Sequence, residues 1–137
     1  NSLPKSATKE TEKIEVQPIE ILDQEESGEK IYTTSDVFFY FDDFKLTKEA
    51  MYSIERLIDD IDREQLALIV VEGFADHIGS DEYNQRLSEK RAQEVAGFFK
   101  SRGVTNLKIK YKGYGESRTS VIYSKNRKVV IYVYYRA

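Results

Sequence analysis

Asp76, Asn84 and Arg91 are the residues whose types and spacing could do chemistry together. Asp76 stands in a glycine-bracketed stretch, Gly73-Phe74-Ala75-Asp76-His77-Ile78-Gly79, and the segment from Tyr83 through Asn84, Leu87 and Ser88 to Arg91-Ala92 follows at once. A carboxylate holds an ammonium, and a guanidinium offers a planar, two-pronged donor set to a carboxylate. Aimed at one place, the two make a pocket for a ligand that carries both charges. Spacing alone also allows a plainer reading, in which Asp76 and Arg91 are a structural salt bridge fastening loop to helix.

Other chemistries find less support. His77 is the single histidine, and Asp76, Asp81 and Glu82 beside it have no metal-ligand spacing, so no metal is expected and His77 reads as an exposed loop residue. Ser88 and Ser101 fall in a helical pattern with no base nearby in sequence, so no catalytic residue is assigned and the chain reads as a non-enzyme. Gly113-Tyr114-Gly115 follows a strand but no helix pattern comes after it, which excludes a dinucleotide fingerprint and points to a turn. Tyr132 and Tyr134 read as sheet surface.

The elements that position these residues can be read from periodicity. Asp36 to Phe41 is a short aromatic strand. Thr47 is a fair N-cap for a helix whose stripe is Met51, Ile54, Leu57, Ile58 and Ile61. Ala67 to Val71 is continuously apolar, as in a strand covered on both faces. A second helix runs from about Asp81 to Arg102 and stops at Gly103. Leu107 to Lys112 alternates and carries lysines, which suits an edge strand, and Val129 to Tyr135 is a last strand. The order is β-α-β-α-β-β: an α+β, two-layer sandwich with a mixed sheet and helices packed on one face. At about 100° per residue, Leu87, Tyr83, Phe98, Val95 and Phe99 form the apolar stripe of the second helix. Asn84 and Arg91 fall inside that stripe, stacked two turns apart. A guanidinium there needs an answering group, because an unpaired buried charge is very costly. Asp76 sits where a strand ends, and loops at the carboxyl ends of strands are where open α/β sheets bind ligands.

Composition sets limits. The chain has 137 residues, 21 basic and 24 acidic, for a net charge of −3. That balance argues against a nucleic-acid binder relying on phosphate neutralisation. Cysteine is absent, so there is no disulfide framework and no thiolate site. Residues 1–33 hold both prolines and a string of acids and lysines, and read as a polar, acidic arm or linker; residues 34–137 read as the folded domain. Ile14, Val16, Ile19, Ile21 and Leu22 could let part of the arm add as a strand. No run of apolar residues reaches membrane-spanning length. The chain begins at Asn1 rather than Met, so a signal peptide, lipid anchor or membrane helix is expected upstream.

Taken together the motifs resemble the OmpA-like peptidoglycan-binding domain, over about residues 35–135. Asp36-Val37-Phe38-Phe39-Tyr40-Phe41-Asp42 with Leu46 resembles the family's opening pattern, and Gly73 to Gly79 resembles its G-[HY]-[TA]-D-x-x-G loop. Tyr83-Asn84, Leu87-Ser88 and Arg91-Ala92 resemble its Y-N-x-x-L-S-x-x-R-A helix. Gly103-Val104, Gly113 to Ser117 and Asn126 to Val129 resemble later signatures. The resemblance implies non-covalent binding of peptidoglycan through the free end of diaminopimelate in the stem peptide. Asp76 would receive its ammonium and Arg91 would clamp its carboxylate. Asn84 would shape the pocket and Arg127 with Asn126 would line or support it, while Ala75 and Leu87 from the same motifs complete the ligand-binding set. It also implies a periplasmic place in a Gram-negative envelope, no cofactor, and attachment to the outer membrane, as in Pal-type lipoproteins, or to the inner membrane, as in stators of the MotB type or secretion accessories. Phe74 departs from the family's His or Tyr and bears on the pocket wall; Thr119 stands where proline often does, and Lys128 replaces a second arginine. A second reading is an interaction or homodimerisation module that keeps the fold without binding the wall.

Overall fold

The computed structural model describes residues 29–136, the side chains of 29–32 excepted. Four strands and two α-helices follow in the order β1 (Glu29–Phe38), α1 (Lys48–Asp60), β2 (Leu66–Ala75), α2 (Asp81–Ser101), β3 (Ile109–Glu116) and β4 (Lys128–Arg136), with 3₁₀ turns at Asn106–Lys108 and Tyr123–Asn126. The sheet order is β1-β4-β2-β3. β4 pairs antiparallel with β1 and β2, and β2 pairs parallel with β3. This is the expected α+β two-layer architecture with a mixed sheet. Both helices pack on one face, where Ile54 and Ile58 of α1 and Ala92, Val95 and Phe99 of α2 meet Ile69, Val71, Val129, Ile131 and Val133.

Local chemistry sets the helix ends. The Thr47 hydroxyl accepts from the Ala50 N–H at 3.0 Å, and Ser80 accepts from the Tyr83 N–H at 3.1 Å, so each first turn has an orphan donor satisfied. α2 ends at Gly103, whose φ of +92° is the left-handed conformation that closes a helix.

The first strand differs from expectation. It spans Glu29–Phe38 rather than Asp36–Phe41, so residues 29–33, read as the end of the arm, pair with β4. Phe39, Tyr40 and Phe41 leave the sheet for the loop before α1. The suggested strand at Ile14–Leu22 lies outside the described residues. β3 is an edge strand as expected, but Leu107 precedes it in a 3₁₀ turn and is exposed. Gly113-Tyr114-Gly115 is not a turn; all three lie within β3.

The reason is close packing. A Cβ on Gly73 would fall 2.1 Å from the Ser88 carbonyl oxygen, and one on Gly113 would fall 2.4 Å from the Glu89 backbone nitrogen. The bare backbones of β2 and β3 let α2 settle directly onto them. Ser88 Oγ accepts from the Gly115 N–H at 2.8 Å, and Gln85 Nε2 donates to the Gly113 carbonyl at 2.7 Å. This approach rotates α2 from the expected stripe. Its buried residues are Asn84, Leu87, Ser88, Arg91, Ala92, Val95, Ala96 and Phe99, while Tyr83 is exposed.

Candidate functional site

The ends of β1 and β2, the start of α2 and the segment entering β4 converge on Asp76. β2 stops at Ala75, whose carbonyl accepts from the Ser117 N–H at 2.7 Å. That bond fixes the chain at the point where Asp76 turns toward α2. Asp76 is 4% exposed. Its Oδ1 accepts from the Ile78 N–H at 3.1 Å, and its Oδ2 pairs with Arg127 Nη1 at 3.3 Å. The second distance is long for a charge-assisted bond, which runs to about 2.7–2.9 Å at its best.

Arg91 rises from the buried face of α2, as the helical spacing indicated, and is 0% exposed. Its hydrogen bonds, however, go to carbonyls. Nε donates to Asp43 O at 2.8 Å, Nη1 to Phe74 O at 3.0 Å and Nη2 to Tyr40 O at 3.1 Å, with the guanidinium 5.2 Å from the Phe39 ring centre. One side chain thereby ties the loop after β1 to the end of β2. A plain Asp76–Arg91 loop-to-helix bridge is not what forms: the side-chain partner of Asp76 is Arg127. Burial pushes the Arg91 pKa down to about 10, against the opposing pull of the Asp76 charge; Arg127 adds to the lowering, and Asp43 and Asp42 oppose it. The group stays cationic at neutral pH.

Arg127 is the more accessible cation, its side chain 18% exposed. It is held by a reciprocal pair with the end of β1: Phe39 N–H donates to Arg127 O at 2.9 Å, and Arg127 Nε donates to Phe39 O at 3.1 Å. Asn126 is spent on the neighbouring loop. Its Oδ1 accepts from Ser120 N–H at 3.0 Å and its Nδ2 donates to Ser120 O at 2.8 Å, with the Ser117 and Thr119 hydroxyls 3.4 Å from the same Oδ1. Thr119, the residue standing in place of proline, belongs to this hydroxyl cluster. Asn84 is buried and its Nδ2 meets no acceptor, an open donor in a setting where buried polar groups are normally paired. Ala75 and Leu87 are buried beside these residues on β2 and α2.

The mouth carries groups that sequence reasoning did not assign. Tyr83 donates its hydroxyl to Asp42 Oδ1, and Asp42 is the one non-glycine described residue with positive φ, at 57°. The His77 ring meets Tyr123 edge-on at 4.4 Å between ring centres. Phe74 turns away from the pocket. Its ring stacks on Tyr114 at 5.6 Å, and its carbonyl is what reaches Arg91. The spacing could not reveal that the loop from Tyr40 to Asp43 serves the site through its carbonyls. The Phe39-Tyr40-Phe41-Asp42 run was the available signal, but it reads first as a strand. Among the described residues, no three His, Cys, Asp or Glu side chains gather as a metal cage.

Comparison with known proteins supports this fold. The model of the OmpA family matches residues 38–131. An outer membrane protein A of Salmonella typhi is 42% identical over 86 residues, a match taking in 61% of this chain and 24% of the relative. The chain therefore corresponds to about a quarter of that protein's length. Among solved structures, the OmpA-like domain of FopA1 from Francisella tularensis superposes with a TM-score of 0.62 at 31% identity, covering 75% of this chain and 72% of that one. The peptidoglycan-associated lipoprotein of Burkholderia pseudomallei shares the fold, with a TM-score of 0.58 at 21% identity over 72% of this chain and 88% of its own.

Proposed function

The chain belongs to the OmpA family, and from that premise we propose that it is a non-enzymatic anchor that grips peptidoglycan through the free end of diaminopimelate in the stem peptide. The observation that carries this reading is the Asp76–Arg127 pair, lying against a buried Arg91 that Asp76 influences by charge. A zwitterion fits such a pair by exchange. Its ammonium takes Asp76, its carboxylate takes guanidinium N–H groups, and the 3.3 Å internal contact gives way to two external ones. Arg91 has N–H protons beyond the three already engaged and meets the carboxylate from within, while Arg127 meets it at the mouth. The open Nδ2 of Asn84 gains an acceptor. Asn126 supports the loop that presents Arg127, and Ala75 and Leu87 form the apolar wall. Such an anchor works in the periplasm, joined to the outer or the inner membrane of a Gram-negative cell.

Sedimentation with purified peptidoglycan tests this for wild type, Asp76→Asn and Arg127→Gln, with free diaminopimelate as competitor. Wild type should sediment, and the competitor should release it. Each variant should bind at least tenfold more weakly while keeping its melting temperature within a few degrees. A wild-type chain that stays in the supernatant, or variants that sediment equally, would sink the reading in favour of an interaction module that does not touch the wall.

A further inference from the structure

The seam between α2 and β3 is closed at one end and open at the other. Around Gly113 and Gly115 the helix lies directly on the strand, fastened by Gln85 and Ser88. Toward the start of β3 the two elements part. They leave a cleft of about 400 Å³, lined by Ala96, Gly97 and Ile109 and by the polar Gln93, Lys100 and Tyr111. Gly97 is the odd residue here. A Cβ on Gly73 or Gly113 would strike the backbone of α2, so packing requires those two glycines, whereas a Cβ on Gly97 would meet nothing within 4 Å. Gly97 lies inside α2, where glycine weakens a helix relative to alanine. The fold itself does not ask for it. A bare helix surface leaves room for another backbone to come close. Beside it stands β3, the last strand of the sheet, paired only with β2 among the described residues. The other edge of such a strand offers a row of N–H and C=O groups.

We infer that this cleft takes an acidic, extended peptide segment of a partner protein, added alongside β3 as a further strand. Charge selects the partner. From Val95 to Gly115 the chain holds five cations and no acid, within a whole whose net charge is −3. Arg102 of this stretch is paired with Glu55, while Lys100 stands in the cleft itself. Two β3 edges set side by side would bring lysines onto lysines, and like charges across a strand pair repel. That disfavours the β3 edge of a second copy and favours an acidic strand. Alternation sets the pattern of the segment. Ile109 packs toward the helices, and the Tyr111 hydroxyl accepts from Gln93 Nε2 at 3.2 Å. Side chains of the added strand that point the same way enter the cleft over Gly97, and those between them point away. Apolar residues suit the first set and acids the second. The cleft is thirteen residues along α2 from Asn84, about 20 Å at 1.5 Å per residue. Peptide and wall therefore have separate places, and the inference stands apart from the reading of the Asp76 mouth.

Fluorescence anisotropy with the full chain tests this, using a labelled peptide that alternates valine with glutamate. Wild type should bind it at least tenfold more tightly than a valine–lysine counterpart. Two N-methylated versions of the probe, one at every valine and one at every glutamate, should differ at least tenfold, because only one set of amides faces β3. Gly97→Met, which fills the cleft with a good helix former, should weaken binding at least tenfold, and Lys100→Glu at least fivefold. Both variants should melt within a few degrees of wild type and sediment with peptidoglycan as wild type does. Gly97→Ala should melt no lower than wild type. The inference is overturned by a wild type that ignores the valine–glutamate peptide, or by variants that bind it equally. It is overturned too if both methylated probes bind alike, or if polyglutamate or anionic lipid vesicles compete as well as the peptide does, because the stretch is then only a basic surface.

Discussion

Two arginines that feel each other's charge are held in opposite ways. Around Arg91 the protein has closed completely, with three carbonyls from two chain segments on one guanidinium and no solvent contact. Around Arg127 it has stopped short, with one backbone bond from Nε to the Phe39 carbonyl, one long contact to Asp76 and a side chain still open to water. Three engaged N–H groups make Arg91 a tie within the fold whatever else it meets, while the fold leans less on the loosely held Arg127. The family motif contains both, and only the hydrogen-bond partners distinguish them.

The sharpest way to break this comparison is Arg91→Ala. It should cost stability on the scale of about 3–5 kcal/mol, because it removes three hydrogen bonds that tie the loop after β1 to the end of β2 as well as deleting a buried charge. Urea denaturation measures it, and a loss near zero would mean that the loop is held by something else. Arg91→Lys should recover little of this, since a point charge cannot span three acceptors. Next is Gly73→Ala, expected to cost about 2–3 kcal/mol by forcing α2 off the sheet. It should weaken wall binding as well, because α2 carries Asn84 and Arg91. Smaller still is Arg127→Gln, at about 1 kcal/mol of stability, set against at least a tenfold loss in wall sedimentation. That split between folding and binding is what separates it from Arg91. The smallest effect concerns Glu72. Burial raises its pKa above the ordinary 4.5, against the lowering pull of the neighbouring Tyr132 and Tyr114 hydroxyls and of the Lys112 charge. An acid raised by folding contributes stability at pH below its unfolded value, and that contribution is lost as pH rises through the folded value. Glu72→Gln should therefore match wild type near pH 4 and melt higher than wild type from pH 6 upward. Equal melting curves at pH 7 would place Glu72 in water.

Much of this was legible beforehand, and the misses have physical causes. Thr47 and Ser80 act on their own first turns, so local reading suffices for helix starts. Arg91 and Asn84 were placed inside the helix because 3.6-residue geometry needs no partner. Tyr83 was misplaced because the true buried stripe is built on Ser88, Ala92 and Ala96, residues that look indifferent until Gly73 and Gly113 are seen as the floor beneath them. Small residues four apart on a helix, with glycines in two strands, were the signal. The run from Phe39 to Phe41 looked like strand because composition cannot show that backbone oxygens are needed elsewhere. The partner of Asp76 was hidden for the same reason: Arg127 lies 51 positions along the chain, and no local pattern connects them.

The direction of β1 has a mechanical consequence. Glu29 pairs with Arg136 at one end of the sheet, and Phe38 pairs with Lys128 at the other, next to Arg127 and Asp76. A pull applied at Glu29 and resisted at the Asp76 mouth therefore runs lengthwise along β1. The ladder joining β1 to β4 is strained in shear, with all its rungs sharing the load at once, rather than being unzipped one rung at a time.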